Sequence, residues 1–568
     1  MRIALAPINP KVGDLVGNIR LIEDAVRSAG AVDLVVLPEL AVCGYPPRDL
    51  LYEPGFVQRC YDRALGLAER SRGGPAIVVG SPVQDGRGVR NSLLVFQDGR
   101  LAHTYHKRLL PTYDVFDEDR YFVAGDVACV FDVAGERVGL AICEDLWMGQ
   151  DADQHWRYQL KDDPVRDLVS AGARVIVAPS ASPFVEEKHE RHLALVGGHA
   201  QQQGVWVLGV NQAGANDDLI FDGHAIAFDP TGRQRAAGPR MGDGVTVVEL
   251  SESGERARDS MLEAGPDVAL AEALAVGVRD YVRKTGFERV LLGLSGGIDS
   301  AVSCAVAVKA LGAQHVIGVA MPGPYSSEHA LSDAELLAQN LGIRLVTLPI
   351  AEPMAGFRGV VDGVFEDLGA PALGAERPDV TEQNLQSRLR GTAIMTLSNR
   401  LNALVVTTGN KTELAVGYCT LYGDMNGAIA PIADLTKLRV YELARAMNTD
   451  PRAFGFGLPP IPEGTITKPP SAELAPDQRD DDTLPAYDVL DRIVTLRVEG
   501  RQGVDAIATQ TGCDAEIVRR MCRLIATHEY KRRQYGVALK VTPVAFGPGR
   551  RMPIAQGWMG SGLDGLGS

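Results

Sequence analysis

The chain is poor in cysteine, short of positive charge and without a long apolar run. Its eight cysteines, at 43, 60, 129, 143, 304, 419, 513 and 522, are sparse in 568 residues, and no two form a Cys-x-x-Cys pair. That pattern excludes a disulfide framework and a structural zinc site, and it predicts a cytoplasmic protein kept reduced. Lys and Arg number 57 against 72 Asp and Glu, a formal net charge of −15. Such a balance argues against nucleic acid or an anionic membrane as partner, so any nucleotide ligand needs local positive sites. No apolar stretch reaches the roughly 18 residues of a membrane span. Met1-Arg2-Ile3-Ala4-Leu5-Ala6-Pro7 reads as a first strand, not a signal peptide. Internal repeats are absent.

What is present fits two α/β domains, since single cores rarely grow past about 250–300 residues. Residues 1–250 alternate helical stretches with Val/Ile/Leu runs at 33–37, 76–79, 138–142, 174–177 and 205–208, which predicts a layered α/β domain. The polar stretch 251–264 reads as a linker. A second block, 265–546, opens with a helix ending before Gly286 and carries strands expected at 289–294, 315–320, 343–348 and 403–408, each followed by a helix. That is the pattern of a doubly wound parallel sheet. The stretches 355–382 and 463–484 read as long loops, and 547–568 as a glycine-rich tail.

Two places carry chemistry. Ser295-Gly296-Gly297-Ile298-Asp299-Ser300 directly follows the strand-like Val290-Leu291-Leu292-Gly293-Leu294 and opens a helix. Glycines allow close approach of a ligand, hydroxyls donate, and the helix N-terminus favours an anion, so a phosphate fits. There is no Walker-type lysine. Asp299 stands in the turn instead, and a metal ion would have to mediate between it and the phosphates. In the first half, Glu39, Lys107 and Cys143 each sit at the end of a strand-like run. Together they make an amidase: a thiol nucleophile, a carboxylate to move its proton and an ammonium to stabilise an oxyanion. Taken singly, a cysteine at a strand end is more often a small buried hydrophobe, and a lone Glu or Lys a surface group.

Leu37-Pro38-Glu39, His106-Lys107-Arg108-Leu109-Leu110-Pro111 and Ala141-Ile142-Cys143-Glu144-Asp145 resemble, in order, the nitrilase or carbon–nitrogen hydrolase superfamily. The resemblance implies an αββα sandwich with Glu39 as general base, Lys107 as transition-state stabiliser and Cys143 as nucleophile. It implies glutamine as substrate, with Tyr113, Glu144, Ser182 and Lys188 holding its amino-acid end; Lys188-His189-Glu190-Arg191 leaves that last choice open. One departure is Gly223-His224-Ala225, where relatives often carry serine.

The second half is similar to the synthetase domain of glutamine-dependent NAD synthetases, members of the ATP-pyrophosphatase group. The likeness is carried by the 295–300 loop, by 408–418 (TGNKTELAVGY), 420–424 (TLYGD) and 428–437, and by 468–474 (KPPSAEL). It implies ATP bound at Gly293, Leu294, Ser295, Gly296, Gly297, Ile298, Asp299, Ser300 and Thr408. Asp299 and Glu413 would hold magnesium, and Asn384, Glu413, Asp424, Lys437 and Lys531 would serve deamido-NAD and the nucleotide pocket. Lys531-Arg532-Arg533 offers three cations for the last place.

The halves combine into one expected reaction. Glutamine releases ammonia, deamido-NAD is activated by ATP as an acyl-adenylate, and ammonia displaces AMP to give NAD, a product and not a redox cofactor. A homo-oligomer and a buried route for ammonia are expected from the same resemblance. Two other classes compete: an independent amidase joined to a nucleotide-sensing domain, and another amidating or tRNA-thiolating ligase. The charge and the missing Cys-x-x-Cys weigh against tRNA.

Overall fold

The computed structural model describes residues 1–150, 154–159, 161–251, 264–373, 378–476, 478–480 and 484–558. The linker expected at 251–264 falls outside these for 252–263, and the tail for 559–568. The chain divides into two compact units, Met1–Ala269 and Leu270–Ser568.

The first unit holds two six-stranded sheets. One runs in the order Thr246–Glu249, Arg2–Leu5, Leu34–Val36, Ala76–Asp85, Gly88–Gln97, Arg100–His106; the other runs Gln234–Ala237, Ala225–Phe228, Trp206–Asn211, Val175–Ser180, Glu136–Leu140, Val130–Val133. The three central strands of the second sheet are parallel, as are 2–5, 34–36 and 76–85 in the first. Side chains alternate across a strand, and here both sets are apolar. Ile3, Leu5, Leu34, Val36 and Val78 of one sheet share a core with Val138, Leu140, Val175, Val177 and Leu208 of the other. The alternate residues Ala4, Val35, Ile77 and Val79 pack under the helices Leu15–Ser28 and Phe56–Leu65. Ile176, Ala178, Val207 and Ile226 pack under Pro164–Ser170 and Lys188–Gln203. The order of layers is therefore αββα, and continuous Val/Ile/Leu runs are its sequence mark.

The second unit is built on four parallel strands in the order Arg344–Thr347, Val316–Ala320, Val290–Gly293, Leu404–Val405. The Ala/Val-rich helix Ile298–Leu311 follows the strand Val290–Gly293 and is buried along most of its length. A separate helical core gathers Leu414, Leu490, Ile493, Val494, Ile507, Val518, Met521 and Ile525. The reading of 355–382 as a loop is wrong: Ala351–Asp367 and Val380–Leu401 are helices. Glycines at 356, 359 and 363 masked the first helix. Its Phe357, Val360 and Val364 keep helical spacing yet stay exposed. Asp379 caps the second, accepting from the Thr381 and Glu382 amides. The stretch expected as a loop at 463–484 opens with a short helix, Glu463–Thr467, and the described residues 468–476 are turns and irregular backbone.

One charge cluster ties this unit together. Lys411 and Asp434 are both fully buried, 2.9 Å apart, and Lys411 also donates to Glu499 at 2.6 Å. Asp434 accepts from the Val541 and Thr542 amides. Burial opposes the Lys411 charge, yet Asp434 and Glu499 hold its pKa above the usual lysine value. Neutralising Asp434 leaves the buried Lys411 charge with Glu499 alone and weakens the acceptor of the Val541 and Thr542 amides, which together cost about 3–5 kcal/mol. Asp434→Asn is expected to destabilise the second unit by about that amount in equilibrium denaturation and to speed hydrogen exchange at 411–416 and 540–544. An unchanged midpoint and unchanged exchange would contradict this account.

Candidate active sites

In the first unit the chemistry-bearing side chains collect at the carboxyl ends of parallel strands. Glu39 follows Leu34–Val36, Cys143 follows Glu136–Leu140, and Ser182 follows Val175–Ser180. Glu39 Oε1 accepts from Lys107 Nζ at 2.7 Å and from Asn91 Nδ2 at 2.7 Å, while its Oε2 accepts from the Ala181 amide at 2.9 Å. Lys107 Nζ donates a second time, to Glu118 Oε1 at 2.9 Å, which also accepts from the Tyr45 hydroxyl at 3.0 Å. All these groups are buried. Close approach of Gly80 makes room: a Cβ there would lie 2.2 Å from the Leu40 nitrogen and 2.6 Å from the Pro38 oxygen.

Cys143 is buried with φ at 44°, a left-handed conformation that costs energy for any residue but glycine and that recurs at reacting positions. Burial, then the Glu39 charge, pushes its thiol up, with Lys107 opposing. The thiol is therefore protonated at neutral pH and needs a base. Burial works against the charge of Lys107, but Glu118 and Glu39 hold it well above the ordinary lysine value. Glu118 is pushed up to about 7, chiefly by burial, with Lys107 opposing and Glu39 adding. Asp145 joins the two reacting segments: it accepts from the Ile142, Arg108 and Leu109 amides and from the Tyr105 hydroxyl at 2.7 Å.

The four residues expected on glutamine lie around the same spot. Tyr113 donates its hydroxyl to Glu144 Oε2 at 2.8 Å, Ser182 is buried with its amide on Asn211, and Lys188 Nζ stands 5.6 Å from the Trp147 ring centre. The charges of Glu144 and Lys188 both act on Cys143. Sequence reasoning missed Glu118 and Asn91. Glu118 hides among Asp114, Asp117 and Asp119, and no spacing distinguishes it. Beside this spot, His189, Asp222 and His224 are buried with potential ligand atoms within 4.8 Å of one another. Asp222 already accepts from Asn211, His224 and the Arg240 guanidinium, a charge that a metal ion would have to face.

In the second unit a cavity of about 320 Å³ is lined by all of 293–300 together with Thr408, Glu413, Asp424 and Lys437. Gly296 adopts φ 74°, and a Cβ on it would lie 2.4 Å from the Ala330 oxygen. Ser295 and Ser300 hydroxyls stand 3.3 Å apart under the turn. Asp299 accepts from Lys437 Nζ at 2.5 Å and from Asn410 at 3.0 Å, and Lys437 also reaches Glu413 at 3.1 Å. One ammonium thus bridges the two carboxylates. Burial, with the Asp299 charge adding and Lys437 opposing, pushes Glu413 up to about 7. Lys468 to Leu474 also line this cavity, with Lys468 paired to Glu473.

Two expected residues are not among the described residues lining the cavity. Asn384 accepts from the Thr420 hydroxyl at 2.8 Å, and Lys531 donates to the Gly417 and Cys419 carbonyls at 2.7 and 2.6 Å. Both hold the 417–424 segment from behind, and Cys419 and Asp424 of that segment do line the cavity. Sequence reasoning also missed Arg390, which lines the cavity and donates to the Met321 carbonyl. No helix among the described residues is long and apolar enough to cross a membrane.

Residues 2–259 match the family described as carbon-nitrogen hydrolase, and 270–535 match NAD synthase. The chain is 42% identical over 566 residues to the glutamine-dependent NAD(+) synthetase of Synechocystis sp., covering 98% of each chain. It is 40% identical to that of Xanthomonas campestris pv. campestris, over 99% of this chain and 98% of the relative. Among solved structures it is similar to the glutamine-dependent NAD+ synthetase from Acinetobacter baumannii in complex with ADP, at 33% identity and a TM-score of 0.74, covering 98% of this chain and 99% of the other. A synthetase from Cytophaga hutchinsonii, 23% identical, shares the fold at a TM-score of 0.81.

The Glu118 carboxyl binds its proton below about pH 7 and releases it above. Glutamine hydrolysis is expected to fall along an acid limb near that value, because protonation leaves Lys107 one anionic partner fewer. Glu118→Gln fixes the neutral state, so its rate at high pH should drop roughly 10²-fold and the limb should flatten. A pH–rate profile that Glu118→Gln leaves unaltered would remove Glu118 from the site.

Proposed function

Because the chain belongs to the glutamine-dependent NAD(+) synthetases, we propose that its two buried ammonium–carboxylate clusters divide the reaction, the first freeing ammonia and the second activating the acceptor. The enzyme is a carbon–nitrogen ligase that takes its nitrogen from glutamine. The observation that carries the division of labour is Lys107 clamped between Glu39 and Glu118 beside the buried Cys143.

In the first site Glu39 takes the Cys143 proton as the sulfur attacks the side-chain amide of glutamine. Its Oε1 faces Lys107 and Asn91 and its Oε2 the Ala181 amide, so the carboxylate is held on three sides. Lys107, kept charged by two carboxylates, stabilises the tetrahedral oxyanion. Glu39 then returns the proton to the departing ammonia, and water releases glutamate from the thioester. Tyr113, Glu144, Ser182 and Lys188 hold the amino-acid end. Free ammonia becomes protonated at neutral pH and ceases to be a nucleophile, so we assign it a route shielded from solvent.

In the second site the 293–300 turn and Thr408 take ATP. The carboxylate of deamido-NAD attacks the α-phosphorus, pyrophosphate leaves, and ammonia displaces AMP from the acyl-adenylate to form NAD. Asp299 and Glu413 offer hard oxygen donors, and the Lys437 cation already standing between them supports a fit to Mg²⁺. Mg²⁺ held there would supply charge neutralisation for the departing pyrophosphate. Lys437 lines the same cavity and offers a cation to a phosphate. Asp424 lines the same cavity, while Asn384 and Lys531 act on deamido-NAD through the 417–424 segment they support.

We also assign the enzyme to the cytoplasm, in keeping with cysteines that are all unpaired among the described residues. A homo-oligomer is supported by the exposed Phe357, Val360 and Val364 along one helix.

Cys143→Ala is expected to abolish NAD formation from glutamine and to leave formation from ammonium salts within about two-fold, by product analysis with deamido-NAD, ATP and Mg²⁺. Loss of both activities in a folded variant would contradict separate sites. Lys437→Met should leave glutamine hydrolysis without nucleotide intact while ammonia-dependent synthesis drops at least ~10²-fold; near-normal synthesis would remove Lys437 from the nucleotide site.

A further inference from the structure

Asp222 lies buried at the end of the strand Leu219–Asp222, directly before Gly223-His224-Ala225. Its Oδ1 accepts from Asn211 Nδ2 at 2.8 Å and from His224 Nδ1 at 2.6 Å, and its Oδ2 faces Arg240 at 3.4 Å and His189 at 3.9 Å. Arg240 and His224 hold the Asp222 carboxyl well below the usual carboxylate range against the effect of burial.

Asn211 is the link to the substrate side. Its Oδ1 accepts from the Ser182 amide at 2.8 Å and its Nδ2 donates to the Ser182 carbonyl at 2.9 Å, so one side-chain amide grips both backbone groups of Ser182. That grip works in one orientation of the amide only. A carboxylate has no proton to give, so with Asp222 opposite, Asn211 must turn its NH₂ that way and its oxygen toward the Ser182 amide. An asparagine at 222 would remove that reinforcement and leave the Ser182 backbone alone to hold the orientation. The other Asp222 oxygen faces His189, the second residue of the helix that begins at Lys188.

We infer that Asp222 is a positioning residue for the amino-acid end of glutamine, fixing Ser182 through Asn211. The inference rests on the reading of Ser182 as a glutamine contact. Asp222 touches neither substrate nor the reacting atoms. Its loss should therefore loosen binding and spare the thiol chemistry.

The test is steady-state glutaminase kinetics of the full-length Asp222→Asn enzyme. KM for glutamine should rise at least ten-fold with kcat within three-fold, and alkylation of Cys143 by iodoacetamide, a probe without an amino-acid end, should stay within two-fold of the parent rate. Ammonia-dependent NAD synthesis should be unchanged, which also reports that the protein is folded. Should Asp222→Asn fail to fold, Asn211→Ala, which cuts only the link to Ser182, carries the same expectation. Ser182→Ala and Lys188→Ala run beside them. If these raise KM and the Asp222 and Asn211 variants do not, the inference alone is overturned. If Ser182→Ala and Lys188→Ala leave KM unchanged, the glutamine contacts lie elsewhere and the inference falls with that reading. A matched fall in kcat and in alkylation rate would mark Asp222 as a general structural support and overturn it too.

Discussion

An ammonium buried between two carboxylates is the arrangement on which the rest of the first unit depends. A lone charge taken out of water is costly, and it becomes tolerable when paired and hydrogen-bonded on all sides. Lys107 meets that condition only because Glu39 arrives from one strand end, Glu118 from the loop after the lysine, and Asn91 bridges the two carboxylates at 2.7 and 3.4 Å. Those segments are brought together by the packing of apolar strands on both faces. The sandwich is the means by which three charges are kept dry and within 3 Å.

The second unit sets a similar arrangement at the wall of a cavity. Lys437 also bridges two carboxylates, Asp299 and Glu413, yet it lines an open cavity instead of a sealed core. Lys107 is enclosed by its partners, whereas Lys437 and its two carboxylates face a cavity. The same electrostatic motif thus stands in a closed core in one half and at a cavity wall in the other.

Legibility followed the same physics. Strands covered on both faces announce themselves as unbroken Val/Ile/Leu runs, so 34–36, 175–180, 290–293 and 316–320 were readable without a structure. Glu39, Lys107 and Cys143 sit at strand ends and could be picked out through the segments 37–39, 106–111 and 141–145 that carry the family resemblance, and the fold sets them at one buried spot. Glu118 could not, because it earns its place through a loop whose path no periodicity encodes. The helix Ala351–Asp367 was misread because three glycines diluted a stripe that stays exposed and so shows no burial signature. Asn384 and Lys531 were expected from the resemblance alone, outside the segments that carry it, and their side chains end on Thr420 and on the Gly417 and Cys419 carbonyls, a detail fixed by tertiary packing.

Asp145 gives the first site a mechanical character of its own. By accepting from the backbone ahead of the nucleophile and from the backbone just after Lys107, it welds the sulfur-bearing turn and the cation-bearing turn into one piece. Attacking atom and charge stabiliser therefore cannot separate by a hinge between them. One buried carboxylate thereby fixes the spacing of two turns that no continuous secondary structure joins.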